Sequence, residues 1–225
     1  MVYHIDTGLI YDKFQEDTEC PLCAIESVAE EQFLYEFLND AVMEDSTRKR
    51  VNENGFCKHH FNMLFSRQNK LSLALQVNTR LKKFILDGVY QTKSPKDAKK
   101  QVEFLEKANS TCIICDLLSE SMEKYYKAIA QMYAHEKEFP SVLKNSKGFC
   151  LHHYKELLKF SGKAGLKQKE YLSVLTEVET TNLERLNKEL NVFCNSHDYR
   201  NAYKPLGSAA SALPRAGEKY YGKNK

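Results

Sequence analysis

The sequence predicts an all-α protein made of two pseudo-repeated three-helix halves that pack as a helical bundle. Two observations predict this class. A C-x2-C motif and a Gly-Phe-Cys-x-His-His motif each occur twice, and the segments that follow them carry apolar residues at helical spacing. A third observation agrees: the only strand signal falls in the first twelve residues. A helical chain of 225 residues is long enough to bury an ample core.

The repeat is visible in the register of the two motifs. The C-x2-C motif recurs after 92 residues and the C-x2-H motif after 93, so six of the seven cysteines follow one pattern. This register predicts an internal duplication. The first copy contributes Cys20, Cys23, Cys57 and His60, and the second contributes Cys112, Cys115, Cys150 and His153.

Three helices are predicted in the first copy. After "CPLC", the apolar residues Ile25, Val28, Phe33 and Phe37 follow a helical spacing. The "GFC" phrase then opens a short helix, "KHHFNMLFSR", and its glycine is expected to make a tight turn or a cap. A longer third helix reads "LSLALQVNTRLKKFILDGVY".

The second copy repeats this plan. After "CIIC", Leu118, Met122, Tyr125 and Ile129 share a helical spacing, and the helix should stop near Pro140. The short helix is "LHHYKELLKF" and the long one is "KQKEYLSVLTEVETTNLERLNKEL".

These elements set the predicted boundaries. Residues 1–90 form the first repeat and 101–193 the second, joined by a connector at 91–100 that contains Pro95 and many charges. Residues 194–225 are expected to be a polar, basic and mostly irregular tail. Helices this apolar on one face usually pack together, so a single globule is favoured.

The eight motif residues are the candidate metal ligands. Two residues at i and i+3 share a helix face, and a helix start favours thiolate over thiol. Cys3His is a common tetrahedral zinc set, so two structural zinc ions per chain are predicted. An iron–sulfur cluster with one histidine ligand is the alternative. An isolated C-x2-C could instead pack as small apolar side chains, but two matched copies favour metal.

Several assignments stay open at this point. Helical spacing favours His60 and His153 as ligands over their neighbours His59 and His152, but a swap would satisfy the sequence too. Each site could form within one repeat or crosswise between the two. A third C-x2-H, Cys194 with His197, has no matching C-x2-C and is interpreted as structural or incidental.

Charge and composition limit the function classes. Net charge is +3, with +4 in residues 204–225 and −1 in the rest, so a broad nucleic-acid-binding face is not expected. Nucleic acid binding through the basic tail is only weakly supported. No apolar run is long enough for a membrane span, and the start lacks the plan of a signal peptide, so a cytoplasmic protein with reduced thiols is predicted.

The motifs together resemble a known group of proteins. The phrases "ECPLC", "GFCKHH", "CIIC", "GFCLHH" and "DYRNAYKPLG" are similar to those of an uncharacterised bacterial family of unknown function, over nearly the whole chain. That resemblance implies no activity and points only to the Cys and His positions. The local C-P-x-C … G-x-C-x-x-H plan also looks like a treble-clef zinc finger, with about twenty helical residues in place of its β-hairpin.

Two functions remain. The first is a zinc-binding helical protein whose two sites are structural and which binds a protein or another macromolecule. The second is an iron–sulfur or thiolate-based redox or metal-handling protein. No G-x-S-x-G, P-loop or H-E-x-x-H motif is present, so no catalytic residues are assigned and enzymatic activity stays uncertain.

Overall fold

The protein is all-α, as the sequence predicts. The computed structural model describes residues 5, 7–39, 44–87, 92–198, 200 and 205–223. These residues form eleven α-helices and no strand. The helices are α1 (Thr7–Gln15), α2 (Pro21–Leu38), α3 (Asp45–Asn54), α4 (Lys58–Ser66), α5 (Lys70–Leu86), α6 (Pro95–Ser110), α7 (Ile113–His135), α8 (Phe139–Asn145), α9 (Leu151–Lys159), α10 (Gln168–Ser196) and α11 (Ala212–Tyr221). Two 3-10 segments cover Ser161–Lys167 and Gly207–Ser211.

The helices divide into two compact units. Unit 1 comprises Met1–Ser27 and Met122–Lys225, and unit 2 comprises Val28–Ser121. Helices α2 and α7 supply residues to both. These limits do not coincide with the predicted boundaries at 91–100, because unit 2 takes the end of the first copy and the start of the second.

Unit 1 has a core drawn from both ends of the chain. Helices α1 and α8 pack together, and α10 packs against α8, α9 and α11. Full burial of such side chains stabilises the fold by about 1.5–3 kcal/mol each. Members of this core include Ile10, Phe14, Leu22, Ile25, Met122, Tyr133, Phe139, Leu143, Phe149, Leu157, Tyr171 and Leu175.

Unit 2 has a separate, smaller core. Helix α5 packs against α3 and α4. The core residues are aliphatic and aromatic side chains of α2, α3, α4, α5 and α7, together with Cys112. The largest are Leu34, Phe37, Leu38, Val51, Leu64, Leu73, Ile113, Ile114 and Leu118.

The six predicted helices are confirmed as α2, α4, α5, α7, α9 and α10. Helix α7 ends at His135, ahead of Pro140, which lies in the first turn of α8. Predicted helical residues 40–43 and 88–90 lie outside the described residues. So do residue 91 of the predicted connector and residues 199 and 201–204 of the "DYRNAYKPLG" phrase.

The predicted connector at 91–100 contains the start of helix α6, which begins at Pro95. Proline occupies the first position of α6, where its missing N–H costs nothing and its fixed φ suits a helix. The Ser94 side chain caps the helix by accepting a hydrogen bond from the Asp97 N–H at 3.1 Å. The same proline that indicated a break therefore marks a helix start.

The two chain ends also differ from expectation. Of the first twelve residues, where the strand signal falls, 1–4 and 6 lie outside the described residues, and 7–12 belong to helix α1, which buries Ile10 and Phe14 at an i, i+4 spacing. The tail, expected to be mostly irregular, contains α11, whose buried face carries Ala212, Ala216 and Lys219. Small side chains let α11 approach its neighbours closely, and this kind of packing leaves little hydrophobic signal in the sequence.

In the part of the chain that the structure describes, no helix is both long and apolar enough to cross a membrane.

Candidate metal centres

All four motif pairs lie at helix starts. Each motif begins with a cysteine immediately before α2, α4, α7 or α9. The carbonyl oxygens of these cysteines accept the first helical hydrogen bond, from the N–H four residues on. The second ligand candidate of each pair is then the third residue of the helix, so both side chains point to one locus. The four leading residues are Cys20, Cys57, Cys112 and Cys150.

The structure brings the eight predicted ligands into two clusters. In what we name the enclosed cluster, all four residues are buried; in the open cluster, one is exposed. Within each cluster the candidate ligand atoms all lie within 4.8 Å of one another. The enclosed cluster is Cys20, Cys23, Cys150 and His153, and the open cluster is Cys57, His60, Cys112 and Cys115.

The pairing is crosswise. Each cluster combines the C-x2-C of one predicted repeat with the C-x2-H of the other, so neither predicted repeat holds a cluster of its own. The enclosed cluster lies in unit 1 at the starts of α2 and α9. The open cluster lies in unit 2 at the starts of α4 and α7.

The ligand atoms are spaced as a tetrahedral zinc ion requires. Zn–S bonds of about 2.3 Å and Zn–N bonds of about 2.0–2.1 Å place two sulfurs about 3.8 Å apart, and a sulfur and a nitrogen about 3.5 Å apart. In the enclosed cluster, His153 Nδ1 lies 3.2–3.4 Å from the three sulfurs, and the Cys23 and Cys150 sulfurs are 3.7 Å apart.

The open cluster has nearly the same dimensions. His60 Nδ1 lies 3.3 Å from each of the three sulfurs, and the Cys57 and Cys115 sulfurs are 3.9 Å apart. A disulfide would hold two sulfurs at about 2.05 Å. Both sets therefore fit one tetrahedral ion rather than a disulfide.

The ring nitrogens distinguish the adjacent histidines. His60 and His153 direct Nδ1 at the sulfurs and are buried, whereas the side chain of His59 is 55% exposed. His60 Nε2 lies 3.0 Å from Glu30 Oε1, the usual carboxylate partner of a metal-binding imidazole. In the enclosed cluster, the corresponding approach of His153 Nε2 to Glu26 is longer, at 3.6 Å.

The groups of the open cluster change one another's protonation. Burial disfavours the charged imidazole, but hydrogen bonds with Cys112 and Glu30 outweigh it and raise the pKa of His60 to about 10. Hydrogen bonding to Cys115, and less strongly to His60, lowers the pKa of Cys112 to about 3 against the effect of burial. Cys112 in turn is the main cause that raises the pKa of Cys115.

The enclosed cluster behaves similarly. Burial, followed by hydrogen bonds with Cys150 and Cys23, raises the pKa of Cys20. Hydrogen bonds with Cys20 and Cys23 lower the pKa of Cys150. Burial opposes a charge on His153, yet Cys150 and Cys23 raise its pKa to about 9. Groups this close share protons, and a bound dication would displace those protons from all of them.

A turn glycine precedes each C-x2-H motif, and a cation lies against it. Gly55 has φ of 64° and Gly148 has φ of 79°, which glycine adopts without strain. A Cβ on Gly55 would overlap the Arg80 guanidinium, and one on Gly148 would lie 2.8 Å from Glu179 and 3.0 Å from Lys219. The sequence predicted these turn glycines but not the cations beside them.

Those cations hold the turns by hydrogen bonds to backbone carbonyls. Lys219 Nζ donates to the carbonyls of Lys147 and Phe149 at 2.5 and 3.2 Å. Arg80 Nη1 donates to those of Val51 and Asn52 at 3.1 and 3.2 Å. One dication with three thiolates and a neutral imidazole carries a charge of −1, so a nearby cation offsets it.

The third C-x2-H motif forms no cluster in the described part of the chain. Cys194 and His197 are exposed at the end of α10, and His197 Nδ1 contacts the Phe193 carbonyl oxygen at 3.0 Å. Asp198 pairs with Arg200 through a 2.6 Å contact. The interpretation of Cys194 and His197 as structural or incidental stays a prediction.

The chain as a whole matches a known protein family. The sequence profile of the family of unknown function DUF6062 matches residues 1–225. The chain belongs to this family. The predicted resemblance to an uncharacterised family is thereby confirmed. Membership in DUF6062 gives the chain no known activity, because the function of the family is unknown.

One relative in the comparison comes from Caldicellulosiruptor sp. (strain Rt8B.4). It is described as an uncharacterized 23.9 kDa protein in the xynA 3' region. It is 23% identical to this DUF6062 chain over 192 residues, which are 85% of this chain and 88% of the relative. No solved structure matches the chain.

Proposed function

We propose that this protein binds two zinc ions at structural Cys3His centres and uses the helical scaffold they stabilise to bind another macromolecule. The observation that carries this proposal is the pair of clusters, each with three sulfurs and one imidazole nitrogen at tetrahedral spacing. The reduced thiols that it needs are expected in a cytoplasmic protein.

The spacing favours a single ion over an iron–sulfur cluster. In such a cluster the thiolates bind different iron atoms, so their sulfurs lie farther apart than those around one ion. The Cys23–Cys150 and Cys57–Cys115 sulfur distances of 3.7 and 3.9 Å match one shared ion. Among common divalent ions, zinc is the one that three sulfur ligands and one imidazole typically bind.

A structural role follows from what each ion would join. The enclosed cluster connects helix starts whose cysteines are 127 residues apart, and the open cluster connects cysteines 58 residues apart. Structural zinc contributes roughly 10–16 kcal/mol in small finger peptides. That exceeds the net stability of many domains, so the ions would fix the geometry of both units.

The proposed interaction surface is the outer face of α5, which we name the α5 outer face. Its residues Leu71, Leu75, Ile85 and Leu86 are exposed and follow a helical spacing opposite the buried Leu73. Apolar side chains grouped on an exposed face are typical of protein-binding surfaces. The basic tail supports nucleic acid binding less, because Arg215 and Lys219 are held in contacts within unit 1.

Metal analysis of anaerobically purified protein tests the proposal. We expect about two zinc per chain and no absorbance band near 400 nm. A brown protein containing iron and sulfide would support the iron–sulfur alternative instead. Absence of any bound metal would overturn both.

A ligand variant gives a second test. Cys23→Ser should lose one zinc equivalent and lower the melting temperature, because three ligands bind less tightly than four. Cys194→Ser is the matched control, since Cys194 is exposed and belongs to no cluster. Equal zinc content in both variants would contradict a metal site at Cys23.

The partner proposal needs its own experiment. Chemical cross-linking of the full-length protein in extract of its own cells should give a defined adduct that Leu71→Asp/Ile85→Asp loses. Leu166→Asp is the control, because Leu166 is an exposed leucine that lies in unit 1. An adduct retained in the α5 variant would remove this face from the proposal.

A further inference from the structure

The two clusters differ in their access to solvent. In the enclosed cluster every ligand residue is at most 2% exposed. In the open cluster His60 and Cys112 are 3% exposed, but Cys57 is only half-buried and Cys115 is exposed. The ligand sets are chemically identical, so their environments must account for any difference in behaviour.

Helix α11 closes the enclosed cluster. Its C-cap is Gly222, with φ of 80°, and a Cβ there would lie 3.5 Å from the Cys23 sulfur and 3.7 Å from the Cys150 sulfur. Gly222 therefore faces the cluster so closely that a side chain there would contact two ligand atoms. On the imidazole side, the Tyr126 ring lies 6.0 Å from that of His153.

Two buried contacts hold α11 in this place. Arg215 Nη1 pairs with Glu19 at 3.1 Å, one residue before Cys20, and Glu19 is 2% exposed. Lys219, also 2% exposed, donates to the carbonyls on either side of Gly148. Release of an ion from the enclosed cluster would require α11 to lift and break both contacts.

Cys115 gives the open cluster a route that needs no such opening. Its sulfur lies 3.3 Å from His60 Nδ1 and 3.9 Å from the Cys57 sulfur, so it belongs to the ligand set while its residue faces solvent. A ligand atom of an acceptor can approach an ion from this side and form a bond to it as the Cys115 bond breaks.

We propose that the open cluster is a metal-exchange site, at which a soft divalent ion such as Zn²⁺ is taken up and passed on, while the enclosed cluster retains its ion. This inference rests on the proposed function, since it requires both clusters to bind metal. In the transfer step, a ligand atom of the acceptor would bind the ion as the Cys115 thiolate leaves, and further acceptor atoms would then replace Cys57, His60 and Cys112. Cys115 then takes a proton from solvent, and no electrons are transferred.

Zinc release from the full-length, zinc-loaded protein tests this asymmetry. With excess 4-(2-pyridylazo)resorcinol as the acceptor, we expect the zinc of the open cluster to leave at least about tenfold faster than that of the enclosed cluster. Only the zinc of the enclosed cluster must wait for α11 to open locally. Two equivalents that leave at one rate would overturn the exchange proposal and leave the two-zinc proposal standing. A protein without zinc would overturn the proposed function itself.

Alkylation assigns the fast phase without any variant. Limited treatment of the zinc protein with N-ethylmaleimide, followed by peptide mass spectrometry, should modify Cys115 soon after the free thiol Cys194. Cys20, Cys23 and Cys150 should stay unmodified until the slow equivalent has left. Equal labelling of Cys23 and Cys115 would contradict the assignment.

Two variants separate the roles of the clusters. Cys115→Ala should remove the fast phase and keep the slow one. Arg215→Ala, which frees α11 from Glu19, should speed the slow phase at least about tenfold and leave the fast phase unchanged. If Arg215→Ala leaves the rate of the slow phase unchanged, α11 does not close the enclosed cluster.

Discussion

At the residue scale, Glu30 positions the His60 imidazole. Its Oε1 lies 3.0 Å from His60 Nε2, which fixes the tautomer with Nδ1 directed at the sulfurs. Glu30→Gln keeps the shape but removes the charge that makes the imidazole a better ligand. We expect zinc affinity of the open cluster to fall about tenfold, measured by chelator competition.

The other cluster provides a matched control for that variant. Glu26 approaches His153 Nε2 only to 3.6 Å, beyond ordinary hydrogen-bond length. Glu26→Gln should therefore weaken zinc binding at the enclosed cluster less than Glu30→Gln weakens it at the open one. Equal effects would assign Glu30 no special positioning role.

Glu179 gives a pH-dependent prediction. Burial raises its pKa above the ordinary value of 4.5, and the charge of Lys219 only partly opposes this. A raised pKa means that the folded protein keeps a proton that the unfolded chain loses. The stability from this group is thus complete below pH 4.5 and is lost as the pH rises through the folded pKa.

Glu179→Gln removes this loss. Between about pH 5 and pH 8, the unfolding free energy of the variant relative to wild type should shift in favour of the variant, as measured by urea unfolding. The buried Glu179 Oε1 has no hydrogen-bond partner, so placing an amide there changes the unfolding free energy by an amount that does not depend on pH. The test is therefore how the difference in unfolding free energy between variant and wild type changes with pH. A flat difference, or one that favours wild type at high pH, would contradict the raised pKa.

The sequence could identify the ligand residues because their spacing encodes geometry. A residue at a helix N-cap and the residue three positions later lie on the same face of the helix. This spacing predicts that His60, rather than His59, lies on the same side as Cys57. The sequence could not identify Glu30, Arg80 or Lys219 as their supports. These side chains come from distant parts of the chain, and nothing local to them marks their contacts.

At the element scale, Arg80 of α5 holds the ends of two other helices. Its guanidinium donates to the carbonyls of Val51 and Asn52 near the end of α3, and to that of Ala108 in α6 at 3.3 Å. It also lies 4.9 Å from the Phe84 ring. A cation near the C-terminal carbonyls of a helix is favourable, and a planar fork can bind several of them together.

Arg80→Met should therefore loosen unit 2. Loss of these bonds should cost about 1–3 kcal/mol of unfolding free energy, measured by urea denaturation. Arg80→Lys is the control: it keeps the charge but cannot reach three carbonyls at once, so it should lie between Met and wild type. A Met variant as stable as wild type would refute the bracing role.

The sequence predicted long helices that bury large apolar side chains and missed α6 and α11, which do not. Long amphipathic segments such as α7 and α10 were found by periodicity. Helix α6 has no buried residue among its members, and α11 buries alanines and a lysine. Neither helix buries the large apolar side chains on which the sequence argument depended.

At the scale of the whole molecule, the crosswise pairing could not be read from spacing. A C-x2-C and a C-x2-H complete a Cys3His set in either combination, within a repeat or between repeats. The choice is made by tertiary packing, which sets α9 beside the start of α2 in unit 1 and α4 beside the start of α7 in unit 2. It also determines how much chain each ion would close into a loop.

Loop length predicts an order of stability between the two centres. The enclosed cluster would close 127 residues between Cys23 and Cys150, and the open cluster 58 residues between Cys57 and Cys115. The entropic advantage of closing a loop grows by about 0.6 kcal/mol per doubling of its length, which slightly favours the enclosed cluster. Its ligands also belong to the larger core, that of unit 1.

Losing the ion of the enclosed cluster should therefore destabilise the protein more than losing that of the open one. Cys23→Ser should lower the melting temperature further than Cys115→Ser, with Cys194→Ser unchanged, as measured by calorimetry in zinc buffer. Excess EDTA should bring wild type and both variants to a similar, lower melting temperature, because all three then lack both ions. If Cys115→Ser is the less stable variant, the ion of the open cluster stabilises the fold more than the ion of the enclosed cluster. An ion that exchanges at the open cluster would then be incompatible with a stable fold.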